Sequence, residues 1–278
     1  LDEASFKIAW LYALNTLGAG LGALIAALVL IRHYGFELSL QIGAALNFSA
    51  MCGAVLLALL LKRTTYWHAE AVTQTADNAK TVDTHFTLRT WLLIYGLSGF
   101  IALGLEIVWF RLLGVMLKST AFTFGILLAY FLGGLAIGTA LGIWFSPRSR
   151  RPVHHFLLLQ ACIAAYAVLS ISVLLHVVDQ WPSLAMIWQY FAAPINFPFA
   201  FDLSKATPEF IAMYFVVVPW LIVPPTLLMG ASFPYLQRIN QTSLDDIGKR
   251  VGALQTANIL GSTLGAILVG VVFLHYVC

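Results

Sequence analysis

Apolar residues run through this chain in seven blocks of about membrane-spanning length, over residues 8–31, 38–61, 91–113, 121–145, 156–178, 209–230 and 251–274. Each is continuous rather than alternating. Its polar interruptions are scattered small residues, so the pattern predicts helices that are apolar all round, not half-buried strands or amphipathic surface helices. A helix of about 20 residues crosses the hydrocarbon layer, and all seven blocks reach that length. The expected fold is all-α: a polytopic helical bundle with about seven transmembrane helices. Composition agrees. The chain of 278 residues is 60% hydrophobic and 10% charged, against about 25% charged in an ordinary soluble domain. A soluble enzyme and a nucleic-acid binder are excluded, and the bilayer is the first expected partner.

The few cations fix an expected orientation. With the N-terminus on the cytoplasmic side, Lys7, Lys62, Arg63, Lys80, Arg89, Arg148, Arg150, Arg151, Arg238, Lys249 and Arg250 lie inside. Arg32, Lys118 and Lys205 lie outside, with Arg111 at the outer end of the third block. Cytoplasmic enrichment of this kind is the positive-inside pattern. Residues 62–90 are polar and of mixed charge and read as a cytoplasmic linker. Residues 179–207 are rich in Trp, Phe and Pro and read as an outer interfacial segment. Pro219, Pro224 and Pro225 predict a kink or break in the sixth block.

The first and last blocks repeat one another. Leu1, Asp2, Leu11, Asn15, Leu17, Gly18, Leu21 and Gly22 recur without a gap as Leu244, Asp245, Leu254, Asn258, Leu260, Gly261, Leu264 and Gly265. Both copies run outward, so the repeat is parallel and its unit is six helices. The resulting division is 1–61 as the last two helices of a first repeat, 62–90 as the linker, and 91–278 as five helices of a second. The arrangement is that of the parallel six-helix halves of major facilitators. It makes the chain a window on a longer array, with further helices expected before Leu1 and after Cys278.

Small residues four apart let helix backbones approach closely. Gly18 and Gly22, Gly261 and Gly265, and Gly134, Gly138 and Gly142 are read first as packing positions. Asn15 and Asn258 stand one turn before two of these sets and read as interhelical hydrogen-bonding groups or as the lining of a polar cavity. Glu106 is the sharpest candidate. It lies about 22 Å into its helix at 1.5 Å per residue, and a carboxylate inside a membrane is costly enough to mark either a buried pair or a proton or cation site. Trp109 shares its stripe. Arg111 is about 140° away round the helix and suits the interface, where its charge can snorkel. The cysteines Cys52, Cys162 and Cys278 form no metal spacing. No catalytic residue, cofactor-binding loop or metal set is read from this chain.

The stretches "YALNTLGAGLGALIAALVLI", "SGFIALGLEIVWFRLLGVML", "FTFGILLAYFLGGLAIGTALG", "TLLMGASFP" and "ANILGSTLGAILVGVV" resemble the membrane part of the bacterial membrane-bound spermidine synthase-like proteins, fused chains with transporter-like helices. That resemblance implies an inner-membrane protein in a polyamine context. It also implies an aminopropyltransferase-like cytoplasmic domain outside these residues as partner. Anchoring or scaffolding such a domain, or a membrane complex, is the expected role. The alternative is transport of a polyamine or another small solute between two six-helix halves.

Overall fold

The computed structural model describes residues 2–63, 87–117, 121–180, 208–240 and 247–277, and these are almost wholly helical. In order they form α1 (Asp2–Ile25), a π turn (Ala26–Leu30), α2 (Ile31–Arg63), α3 (Leu88–Met116), α4 (Ala121–Phe145), α5 (Pro152–Gln180), α6 (Pro208–Ala212), a second π turn (Met213–Val217), α7 (Val218–Asn240), α8 (Ile247–Ile267), a third π turn (Leu268–Phe273) and α9 (Leu274–Val277). Most of the linker expected over 62–90, and of the aromatic segment over 179–207, lies outside the described residues.

Six helical stretches are long and apolar enough to cross a membrane: Phe6–Leu60, Leu88–Met116, Thr123–Arg148, Pro152–Val177, Phe210–Asn240 and Gly248–Phe273. The first contains both of the opening apolar blocks, which the sequence separates by only a few polar residues around His33. At 55 residues it would be about 82 Å long if straight, far beyond a hydrocarbon layer of about 30 Å. It is not straight. Gly35 has φ 74° and ψ 178°, a conformation essentially confined to glycine, and the helix changes direction there without a loop. Beyond the break α2 is exposed almost throughout.

The centre of the bundle is the contact between α4 and α7, flanked by α1 against α4 and by α5 against α7; α3 and α8 form a second close pair that joins through α3. Glycine makes the central contact possible. A Cβ on Gly138 would meet the Leu227 carbonyl oxygen and stand 2.8 Å from the Leu227 Cα, one on Gly142 2.6 Å from the Ala231 carbonyl oxygen, and one on Gly230 2.8 Å from the Thr139 amide nitrogen. These backbones are too near for any side chain between them. The α1 contact uses Gly20 and Gly125 in the same manner: Gly20 sits beside Leu132 and Gly133, and Gly125 beside Ala23 and Ala27.

The prolines of α7 do not break it. The expected distortion falls one turn earlier, in the π turn Met213–Val217, where the Val218 amide reaches back to the Met213 carbonyl and the widened backbone makes room ahead of Pro219. Pro224, Pro225 and Pro234 then lie inside a continuous helix. A proline at position i leaves the carbonyl at i−4 without its amide. Two such carbonyls are claimed by neighbouring helices. Trp220, four before Pro224, accepts the Tyr166 hydroxyl of α5. Gly230, four before Pro234, faces the Thr139 hydroxyl of α4 at 3.2 Å, which it shares with the Leu135 carbonyl of α4 at 2.8 Å.

Buried side chains form two apolar clusters. One surrounds Trp109, Leu113, Phe131, Met213 and Leu221. The other surrounds Trp91, Tyr95, Ile143, Phe156, Leu236 and Leu254. Following α3, α4 or α7 from one cluster to the other passes a waist that carries Ser98, Thr139, Thr226 and Ser232.

Two glycines test this packing against each other. Gly138→Leu should lower the unfolding temperature in detergent, with overpacking of about 1–3 kcal/mol or more. Gly18→Leu should be neutral, since no described residue stands within 4 Å of a Cβ there.

Candidate functional site

The waist is the polar layer of the bundle, and its position follows from local sequence. Ser98 lies ten residues into α3, Gln160 eight into α5 and Ser232 eight before the end of α7. With antiparallel neighbours, those offsets bring the three to one depth. The Ser98 hydroxyl donates to Gln160 Oε1 at 3.2 Å, Gln160 Nε2 donates to Ser232 Oγ at 3.4 Å, and Ser232 Oγ donates to the Met229 carbonyl at 2.7 Å. One relay of uncharged groups therefore crosses three helices. Gln160 was not among the residues singled out from sequence. A lone amide inside the block 156–178 was the available signal.

Asn258 extends the polar contacts to α8. Its Nδ2 donates to the Tyr95 carbonyl of α3 at 3.1 Å. A Cβ on Gly99 would stand 2.7 Å from that same nitrogen and 2.9 Å from Ser262 Oγ. Gly261 lies against the Gly96 backbone and Gly265 against Phe100. Asn258 and both glycines thus belong to one helix contact. On α1, Asn15, Gly18 and Gly22 are exposed. No described residue lies within 4 Å of a Cβ built on either glycine. The glycine of α1 that meets a neighbour is Gly20, on the opposite face.

Glu106 lies on the inward stripe of α3, which runs through Trp91, Tyr95, Gly99, Trp109 and Leu113. Those five are buried; Glu106 is only half-buried, so the protein covers this stripe incompletely at its one acid. It is the only carboxylate among the described side chains that is not exposed. No charged or hydrogen-bonding neighbour of Glu106 is present among the described residues. Trp109, three residues on, is 1% exposed and is a core side chain of the Leu113–Phe131 cluster. Arg111 is exposed near the C-terminal end of α3. The structure therefore separates the five polar or aromatic candidates: Asn258 sits in the α3–α8 contact, Asn15 on a bare face, Glu106 at a partly covered position, Trp109 in the core and Arg111 at the periphery.

Two further contacts lie where α4, α5 and α7 come together at one end of the bundle. Arg238, which the sequence marks only as an inside charge, donates to the Ser146 carbonyl and, at 3.0 Å, to the Ser149 carbonyl. It thereby ties the end of α7 to the turn that follows α4. His155 stacks on Tyr235 at 5.8 Å between ring centres. No group of three or more His, Cys, Asp or Glu gathers among the described residues. The chemistry on offer at the waist is hydrogen bonding without charge, while Glu106 supplies the single inward-facing acid among the described residues.

Removing Gln160 should show what the relay contributes. Interhelical hydrogen bonds in membranes average about 0.6 kcal/mol and reach about 1.7. Gln160→Leu should therefore cost a small fraction of the stability, read by thermal unfolding in detergent. A large collapse would mean that Gln160 holds more than Ser98 and Ser232. Comparison of the chain with protein-family models, with curated proteins and with solved structures finds no match.

Proposed function

We propose that this chain is the integral membrane part of a spermidine synthase-like protein of the bacterial inner membrane, which anchors or scaffolds a cytoplasmic aminopropyltransferase-like domain or a membrane complex. In this reading the long first stretch crosses twice, once on each side of Gly35, giving seven crossings with a cytoplasmic N-terminus. The 11 cations placed inside by that topology support it. So do the five stretches that resemble the family.

The observation that favours a scaffold is where the polar side chains are used. Asn258 bonds a backbone carbonyl, Gln160 bridges two serines, and Thr139 and Tyr166 take the carbonyls freed by proline. Apart from Thr139, which also bonds the Leu135 carbonyl of its own helix at 2.8 Å, each of these groups is committed to holding helices together. A solute path needs polar groups left available at mid-depth.

A transporter is the second reading, and Glu106 is the observation that favours it. It points along the inward stripe, is only half-covered, and has no polar partner among the described residues. A carboxylate so placed suits a proton or a cationic solute.

Co-purification decides between the two. Under the scaffold reading, the tagged chain in bacterial membranes retains an aminopropyltransferase-like domain, and proteoliposomes of the chain take up no labelled spermidine. Glu106→Gln then leaves both results unchanged. Uptake that Glu106→Gln abolishes while the protein stays folded would replace the scaffold with the transporter.

A further inference from the structure

α1 and α8 carry the same stripe in different surroundings. Leu254, Asn258, Gly261 and Gly265 are spaced four, three and four apart, so they form one helix face. Their counterparts Leu11, Asn15, Gly18 and Gly22 do the same. On α8 that face is closed by α3: Leu254 is 0% exposed, Asn258 bonds the Tyr95 carbonyl, and the two glycines rest on the backbones of Gly96 and Phe100. On α1 it is bare among the described residues: Leu11 is 69% exposed, and no described residue stands within 4 Å of a Cβ on Gly18 or Gly22. α1 meets α4 instead through the opposite stripe of Ala9, Ala13, Thr16, Gly20 and Ala27.

We propose that the bare stripe Leu11–Asn15–Gly18–Gly22 is a docking face for one further transmembrane helix of the α3 kind. Such a helix presents small residues at the spacing of Gly96 and Gly99 and an open backbone carbonyl one residue before the first. The inference rests on the membrane-embedded reading above. The occupant is identified by the chain itself, because the same four residues at α8 select that surface. Lipid is a poor substitute. An acyl chain offers no acceptor to the Asn15 amide, which lies about 20 Å along α1 from Asp2, and an amide in hydrocarbon without a partner costs free energy. A second copy of this chain is equally unsuited, since its own α8 already fills the matching face of its α3. The bound helix would receive a hydrogen bond from Asn15 Nδ2 and would pack its glycines across Gly18 and Gly22. Beside the shared stripe the copies differ: Ser262, next to Gly99, is matched by Ala19, which makes the α1 face slightly less polar.

The test uses the whole 278-residue chain in lipid nanodiscs, with a photo-crosslinking amino acid at position 11. The probe is a labelled synthetic peptide of the α3 sequence, Leu88–Met116. Leu254 shares its cluster with Trp91 and Tyr95, so capture from position 11 should map to the Trp91–Tyr95 turn of the peptide. Gly18→Leu with Gly22→Leu should cut capture about tenfold, with the thermal unfolding of the chain unchanged. A peptide carrying Gly96→Leu and Gly99→Leu should be captured no better. Equal capture by all variants would overturn the proposal. So would no capture when chain and peptide float in the same discs, or chain-to-chain adducts from position 11 that excess peptide does not reduce. A chain that fails to enter the discs at all would instead sink the membrane-embedded reading on which the proposal stands.

Discussion

Inside a bilayer no water completes a backbone hydrogen bond, so every carbonyl that a helix releases must be met by protein. α7 is built around that constraint. Its internal prolines strip amides from the ladder, and the carbonyls of Trp220 and Gly230 become acceptors directed at other helices. Tyr166 and Thr139 supply the donors, and Trp220 Nε1 returns a bond to the Ser170 carbonyl at 3.2 Å. What would be damage in an isolated helix becomes the means by which α7 holds α5 on one side and α4 on the other. Glycine completes the arrangement, because Thr139 reaches the Gly230 carbonyl only where the α4 and α7 backbones nearly touch.

The same economy shapes the functional reading. Hydrophobic burial is a weak organiser in lipid, where the surroundings are as apolar as leucine. Close backbone contact and a few polar side chains must give the bundle its geometry. The waist relay and the Asn258 bond therefore have a sufficient explanation in assembly. Glu106 does not: it is an acid on an inward stripe with incomplete cover, and it separates a purely structural membrane domain from one that handles a charged solute.

Much of the helical layout was legible because hydrocarbon allows little else. The block over 121–145 coincides with α4, and the others fall within one to ten residues of the observed ends. The prolines were legible as a disturbance but not as a design. Their consequence depends on which helix lies four residues upstream of each, and that is tertiary information. Gln160 could have been read from its isolation in an apolar block, but its partners Ser98 and Ser232 could not, since small hydroxyls in membrane helices often bond only their own backbone. The glycines mark the limit of sequence reading most clearly. Gly18 and Gly261 stand in matching sequence, yet one faces open space and the other the Gly96 backbone. A motif specifies what a face can bind, and only the neighbours decide whether it is filled.

The turn at Gly35 has a mechanical consequence. The 25 residues from Phe36 to Leu60 form a rod of about 37 Å, which leaves the bundle at Gly35. A rotation of about 20° at that joint, within the ordinary scatter of a backbone dihedral, sweeps the far tip through about 13 Å. Among the described residues α2 touches the bundle chiefly beside the π turn Ala26–Leu30. The direction of this arm relative to α1 is thus set by the backbone of a single glycine more than by its own packing.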